Sequence, residues 1–238
     1  MAIHPFLAMT AAEIRGNSPL PRNVAWMACH FSPYGLGLSN LPKALPEGAI
    51  LILDDITPPR GHDPGIVSQQ LSECAKLLKC SGVLLDFQRG GSAETAALAQ
   101  HLSGDLPCPV AVSDVYAGEL TCPVFLPPVP PARPLAEHIA PWKGREIWLE
   151  VGLDGETITL TEEGAVVTPL PHFASPEGGH PDGKLHIHYE IALSDEQAVF
   201  TLWRTKEDLE ALLSEAESAG IQTALGLHQE LGSLFSKE

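Results

Sequence analysis

Acidic side chains recur where short apolar runs end. Asp54 and Asp55 follow Ala49–Leu53, Asp86 lies near the end of GVLLDF (Gly82–Phe87), and Gln88 and Arg89 come just after it. Asp114 and Tyr116 follow Val110–Ser113, and Glu150 sits near the end of EIWLEV (Glu146–Val151). His30 falls at the end of Val24–Phe31, Trp203-Arg204 at the end of Ala198–Trp203, and His228, Gln229 and Glu230 after Thr223–Leu227. If the runs are strands, one sheet end collects carboxylates that can move protons or attack carbon, and flat rings that can stack on sugar faces. Asp86 is the most informative, because a carboxylate at the end of an apolar run is partly buried, and a buried charge needs a partner or a function. Arg89 or a polar group of a neighbouring strand is the obvious partner. The catalytic candidates are therefore Asp86, Asp114 and Glu150. The ligand-binding candidates are Asp54, Gln88, Tyr116, Trp203, Arg204 and Glu230.

Other chemistries leave weaker marks. Ten histidines include an HxH pair, His186 and His188, on an expected strand that would point both rings to one face, while His62, His172 and His180 fall in loops. The pair comes late in the chain, after a loop, so a metal-dependent hydrolase using these two and a strand-end Asp is only a third reading, and no metal ligand is assigned. No GxSxG surrounds a serine, and neither GxGxxG nor GxxxxGK[ST] follows the first strand, so no cofactor is called for. The turn at Gly91–Ser92 after Arg89-Gly90 has the composition of an anion seat. Five cysteines with no CxxC pair read as reduced thiols in a cytoplasmic protein.

The elements that must position these residues follow from the pattern of the chain. Eight runs, Val24–Phe31, Ala49–Leu53, Gly82–Phe87, Val110–Ser113, Val124–Leu126, Glu146–Val151, Ala198–Trp203 and Thr223–Leu227, are mostly apolar without alternation. That is the pattern of strands buried on both faces of a parallel sheet. Helical segments fall between several of them. Asp63-Pro64 signals one start, Ser92 caps another, and Thr205 with Asp208 resembles a capping box ahead of Leu209, Leu212, Leu213 and Ala216. The order predicts a compact α/β (β/α)8 TIM-type barrel, with an open doubly wound sheet as the alternative. Asp154-Gly155 and Glu163-Gly164 predict a β-hairpin excursion around residues 151–170, and PPVPPARP (Pro127–Pro134) an extended surface segment. A Gly/Pro/His-rich loop is expected from Pro169 to Lys184. The whole of 1–238 reads as a single barrel domain with residues 1–20 as an N-terminal extension. Met1–Leu20 lacks the basic and apolar regions of a secretory signal.

Composition narrows the partners. Thirty Asp and Glu against 14 Lys and Arg give a net charge of −16, which with no basic run argues against nucleic acid or an anionic membrane. A small-molecule or carbohydrate ligand is the expected partner. Many acids are solvated helix residues, such as Glu207, Asp208, Glu210, Glu215 and Glu217, so the few at strand ends carry the information.

Ser81–Gln88 reads SGVLLDFQ and resembles the DGxDxDxE strand of family 18 glycoside hydrolases, the chitinase-like barrels. Gly82 matches the motif glycine, Asp86 the last aspartate, and Phe87 an aromatic common there. Ser81, Leu84 and Gln88 depart from it, standing where the family has Asp, Asp and Glu. In that family the Glu protonates the leaving oxygen and the last Asp assists the substrate's N-acetyl group. The resemblance thus implies a glycoside-hydrolase-like barrel in which either another acid, among Asp54, Asp55, Asp114, Glu150 and Glu230, takes the role left by Gln88, or hydrolysis has been lost and the barrel binds carbohydrate or protein.

Overall fold

The computed structural model describes residues 3–170, 176 and 178–235. The chain divides into two compact units. The first is formed by His4–Pro127, Gly144–Glu150 and the chain from Thr223 onward. Its strands are β1 (Phe6–Met9), β2 (Val24–Phe31), β3 (Leu38–Ser39), β4 (Ile50–Asp54), β5 (Gly82–Asp86), β6 (Val110–Ser113), β7 (Val124–Leu126), β8 (Ile147–Glu150) and β14 (Thr223–Leu227). All but β3 are parallel to their neighbours, and β1 pairs with both β2 and β14, so the sheet closes into an eight-stranded barrel. The short β3 lies antiparallel on β2.

The apolar runs explain the two layers of core. Ala8, Ala25, Ile50, Ile52, Leu84, Phe125, Trp148 and Leu225 fill the barrel interior. Residues of opposite parity, such as Leu51, Leu53, Val83 and Leu85, face outward and pack with Val67, Leu71 and Ala75 of α2 (Pro64–Leu78) and Leu98 and Leu102 of α3 (Ala93–Asp105). Both helices begin as the sequence predicts. The Asp63 carboxylate accepts from the Gly65 and Ile66 N–H groups, with Pro64 at the first position, and the Ser92 hydroxyl accepts from the Thr95 N–H. Shorter helices are α1 (Ala11–Gly16), α4 (Asp114–Ala117) and α7 (His228–Phe235).

The second unit contains Pro128–Lys143 and Val151–Gln222. It comprises α5 (Leu135–Ile139), β9 (Gly155–Thr161), β10 (Gly164–Pro169), β11 (His180–Asp182), β12 (Ile187–Leu193), β13 (Ala198–Trp203) and α6 (Lys206–Ser218). Its strands form an antiparallel sheet in the order β10-β9-β13-β12-β11. The β9–β10 hairpin is the expected excursion within residues 151–170, with Thr161 opposite Gly164 at its turn.

Two strand expectations change places. Ala198–Trp203, read as a barrel strand, lies between β9 and β12 in the antiparallel sheet. The barrel strand missing from the sequence reading is β1, inside the segment taken as an N-terminal extension. AVFTLW is apolar on both faces and so mimics a parallel strand, whereas FLAM is four residues without a β-branched side chain and is defined by its neighbours on both sides. The HxH pair is also split. His186 precedes β12 with φ of 52°, and only His188 lies on the strand. His186 Nε2 is 2.6 Å from Glu215 Oε2 and His188 Nδ1 is 2.8 Å from Asp208 Oδ2, so both rings tie to α6. The expected loop from Pro169 to Lys184 holds β11, and His172 lies outside the described residues. Among the described residues no helix is long and apolar enough to cross a membrane.

Candidate active site

Alternation along the strands delivers the acids to one place. Side chains two residues apart share a face of a strand, so a carboxylate two positions beyond an interior residue also points inward. Asp54 follows Ile52, Asp86 follows Leu84, and Glu150 follows Trp148, and all three preceding residues belong to the interior core. Together these carboxylates line a cavity of about 260 Å³ at the C-terminal end of the barrel, over an apolar floor that includes Leu84, Phe125 and Leu225. Deeper in, a Cβ on Gly82 would lie 2.6 Å from Trp148 Cη2, so the glycine leaves room for the indole that plugs the interior.

Parallel register sets three polar residues in a row. His30 lies opposite Asp54, and Asp54 opposite Asp86. His30 Nδ1 is 2.7 Å from Asp54 Oδ2, an ion-pair distance at which the ring is not aligned for a hydrogen bond. Asp54 Oδ1 accepts from the Ile56 N–H at 3.1 Å.

Asp86 carries a clear electrostatic signature. Burial pushes its carboxyl up from the ordinary value, the hydrogen bond from Gln88 pulls it down, and the charges of Asp54 and Asp55 push it up again; the net direction is upward. A carboxyl that keeps its proton above the usual range, beside others in the same cavity, can be divided between acid and base roles.

The segment after β5 is held by buried polar groups. Asp55, 4% exposed, accepts from the Gln88 N–H at 3.1 Å and the Arg89 N–H at 2.9 Å, one amide on each oxygen. The Ser113 hydroxyl donates to the Phe87 carbonyl at 2.6 Å, and the Tyr116 hydroxyl donates to the Arg89 carbonyl. Asp55 and Ser113 thus fix the backbone from which Gln88 reaches Asp86. Sequence reasoning treated the Asp54-Asp55 doublet as one feature, but strand parity separates it: Asp54 faces the interior and Asp55 the neighbouring loop.

The cavity brings together Asp54, Asp86, Gln88 and Glu150. Asp114 opens α4, outside that lining. Tyr116 packs its ring edge-on to Phe87, with centroids 6.4 Å apart, and spends its hydroxyl on the Arg89 carbonyl. Glu230 is in the first turn of α7. Trp203 and Arg204 belong to the second unit, each 1% exposed. There Trp203 packs near His188, and Arg204 Nη1 donates to the Val129 carbonyl at 2.7 Å and lies 3.9 Å from Asp154 Oδ2. Burial holds the Arg204 guanidinium below its usual range, against the pull of Asp154, Asp208 and Glu156.

Solved structures share the fold. The Bacillus cereus spore cortex-lytic enzyme SleL superposes with a TM-score of 0.54 at 12% identity, over 85% of this chain and 63% of that one. The chain therefore spans less than two thirds of SleL. A chitinase from Chromobacterium violaceum superposes with a TM-score of 0.50 at 12% identity, over 85% of each chain. At these identities the likeness is one of fold. No family model matches the sequence, and no curated protein does either. The class defined is a (β/α)8 TIM-type barrel.

Proposed function

We propose that this barrel is a relative of the family 18 glycoside hydrolases that binds a carbohydrate in its strand-end cavity and cleaves a glycosidic bond. Asp86 donates its proton to the leaving oxygen. Glu150 supplies the second carboxylate, either attacking the anomeric carbon or taking a proton from the attacking water. The observation that carries the reading is the Asp86 carboxyl, raised by burial and by Asp54 and Asp55, in a cavity that also holds Glu150. Gln88 cannot serve as the acid, because an amide has no carboxylic proton to give.

A screen of chromogenic glycosides with the wild type, Asp86→Asn and Glu150→Gln tests this. Turnover by the wild type with losses of about 100-fold or more in both variants supports the assignment, since a positioned acid or base typically contributes about 10²–10⁴ in rate. The anomeric form of the first product, read by NMR, then distinguishes a nucleophilic Glu150 (retention) from a basic one (inversion).

The Gln88–Asp86 hydrogen bond favours a second reading, a barrel that binds carbohydrate without cleaving it. Saturable glycan binding by the wild type, with no turnover of any glycoside in the screen, would select it.

A further inference from the structure

Beside the acidic cavity lies a second depression of about 520 Å³, walled by Pro58, Arg60, Arg89, Gly91, Ser92 and Glu94. The two share Asp55 and Arg89 in their linings. Arg60 and Arg89 are both exposed, and among the described residues neither guanidinium has a hydrogen bond or an ion pair. Their backbones are nevertheless fixed. Arg89 is held through its N–H by Asp55 and through its carbonyl by Tyr116, and the loop carrying Arg60 is tied down by the Gly61 N–H donating to Glu94 Oε1 at 2.9 Å. The two carboxylates in this wall are thereby engaged, Asp55 with two backbone amides and Glu94 with one.

Two uncommitted arginines on fixed backbone, in a chain with more than twice as many acids as bases, line one depression, and Arg89 also lines the cavity that holds Asp54, Asp86 and Glu150. A neutral sugar makes no use of that charge. A ligand carrying an anion is repelled by the cavity acids unless cations meet it at the edge, and guanidinium groups match carboxylate and sulfate geometry. We infer that the saccharide taken by this cavity is acidic, with a carboxylate or sulfate substituent seated at Arg60 and Arg89. The inference rests on the carbohydrate reading above and names the class of sugar.

Three probes test it: 4-nitrophenyl β-D-glucoside, the matching glucuronide, and inorganic sulfate. The inference expects the glucuronide to bind about tenfold more tightly than the glucoside at low ionic strength, a difference of about 1.4 kcal/mol. That preference falls to about twofold or less in the R60Q/R89Q double variant, and shrinks in about 0.5 M salt, where the Debye length is only a few ångströms. Equal affinity for the two sugars, or a preference that survives in the double variant, overturns it. Sulfate separates this failure from failure of the carbohydrate reading. If neither sugar binds but sulfate shifts the Arg60 and Arg89 side-chain NMR signals, the anion seat stands and the carbohydrate reading falls. If sulfate leaves those signals unmoved, the seat falls as well.

Discussion

The Gln88 side-chain amide donates to Asp86 Oδ1 at 2.5 Å, so the residue standing where the resembled motif has Glu is bonded to the one that matches its last Asp. With Oδ1 occupied as an acceptor, the Asp86 proton is left to Oδ2. Gln88 thus orients the Asp86 carboxyl, while burial and the charges of Asp54 and Asp55 push that carboxyl above its ordinary value.

The upward shift of Asp86 makes a prediction about stability. Because its folded pKa is above the unfolded value, its contribution is fully present at pH below the unfolded pKa and is lost as pH rises through the folded one. Ionised Asp86 is therefore a liability at neutral pH, and Asp86→Asn removes it. The melting temperature of the variant relative to wild type should rise between pH 4 and pH 7. A difference that is the same at both pH values would count against a raised carboxyl.

Asp55 is the opposite case, an acid whose role is structural. It is buried and accepts two backbone amides that start the segment bearing Gln88. Asp55→Ala should cost about 2–3 kcal/mol in urea denaturation, because both amides lose a charged acceptor. A cost below about 0.5 kcal/mol, the range of an ordinary surface change, would show that the segment holds without it.

Gly82 is constrained by space. Its missing Cβ would meet Trp148 Cη2 at 2.6 Å and the Pro109 carbonyl oxygen at 3.1 Å. Gly82→Ala should destabilise by about 1–3 kcal/mol through overpacking, measured by urea denaturation, and change the tryptophan fluorescence as the indole shifts. Wild-type stability in the variant would mean the barrel interior is looser than the contacts imply.

In the second unit, Asp208 lies under two competing influences. Burial pushes its carboxyl up, but hydrogen bonds from the Thr205 N–H and hydroxyl and from His188 outweigh it, and the net direction is downward. Its stabilisation is present above the unfolded pKa and lost as pH falls through the lowered folded value. Asp208→Ala should cost about 1–2 kcal/mol at pH 7, the scale of a lost helix cap, and progressively less below pH 4. A cost that does not depend on pH would contradict the shift.

The barrel was legible because its strands are buried on both faces, and Val24–Phe31, Gly82–Asp86 and Val110–Ser113 show it as unbroken apolar runs. The same signal misled at Ala198–Trp203, where an antiparallel strand carries apolar residues on both faces. Trp203 and Arg204 were drawn into the candidate site with it. Phe6–Met9 escaped notice because a four-residue strand is specified by its neighbours more than by its own residues. Asp54, Asp86 and Glu150 were legible from position at the ends of runs. The parity that turns Asp55 away from Asp54, and the hydroxyls of Ser113 and Tyr116 that hold the segment after Phe87, are products of tertiary packing with no local signature. Asp208 looked like one more solvated helix acid, because only the fold brings His188 to it.

The most direct test of the account is the rate of glycoside hydrolysis by Asp86→Asn against wild type, on the best substrate from the chromogenic screen and across pH. The account predicts measurable wild-type turnover that declines as pH rises past an Asp86 carboxyl titrating above the ordinary carboxylate range. It predicts a loss of about 100-fold or more in the variant. Equal rates in the two proteins would contradict it.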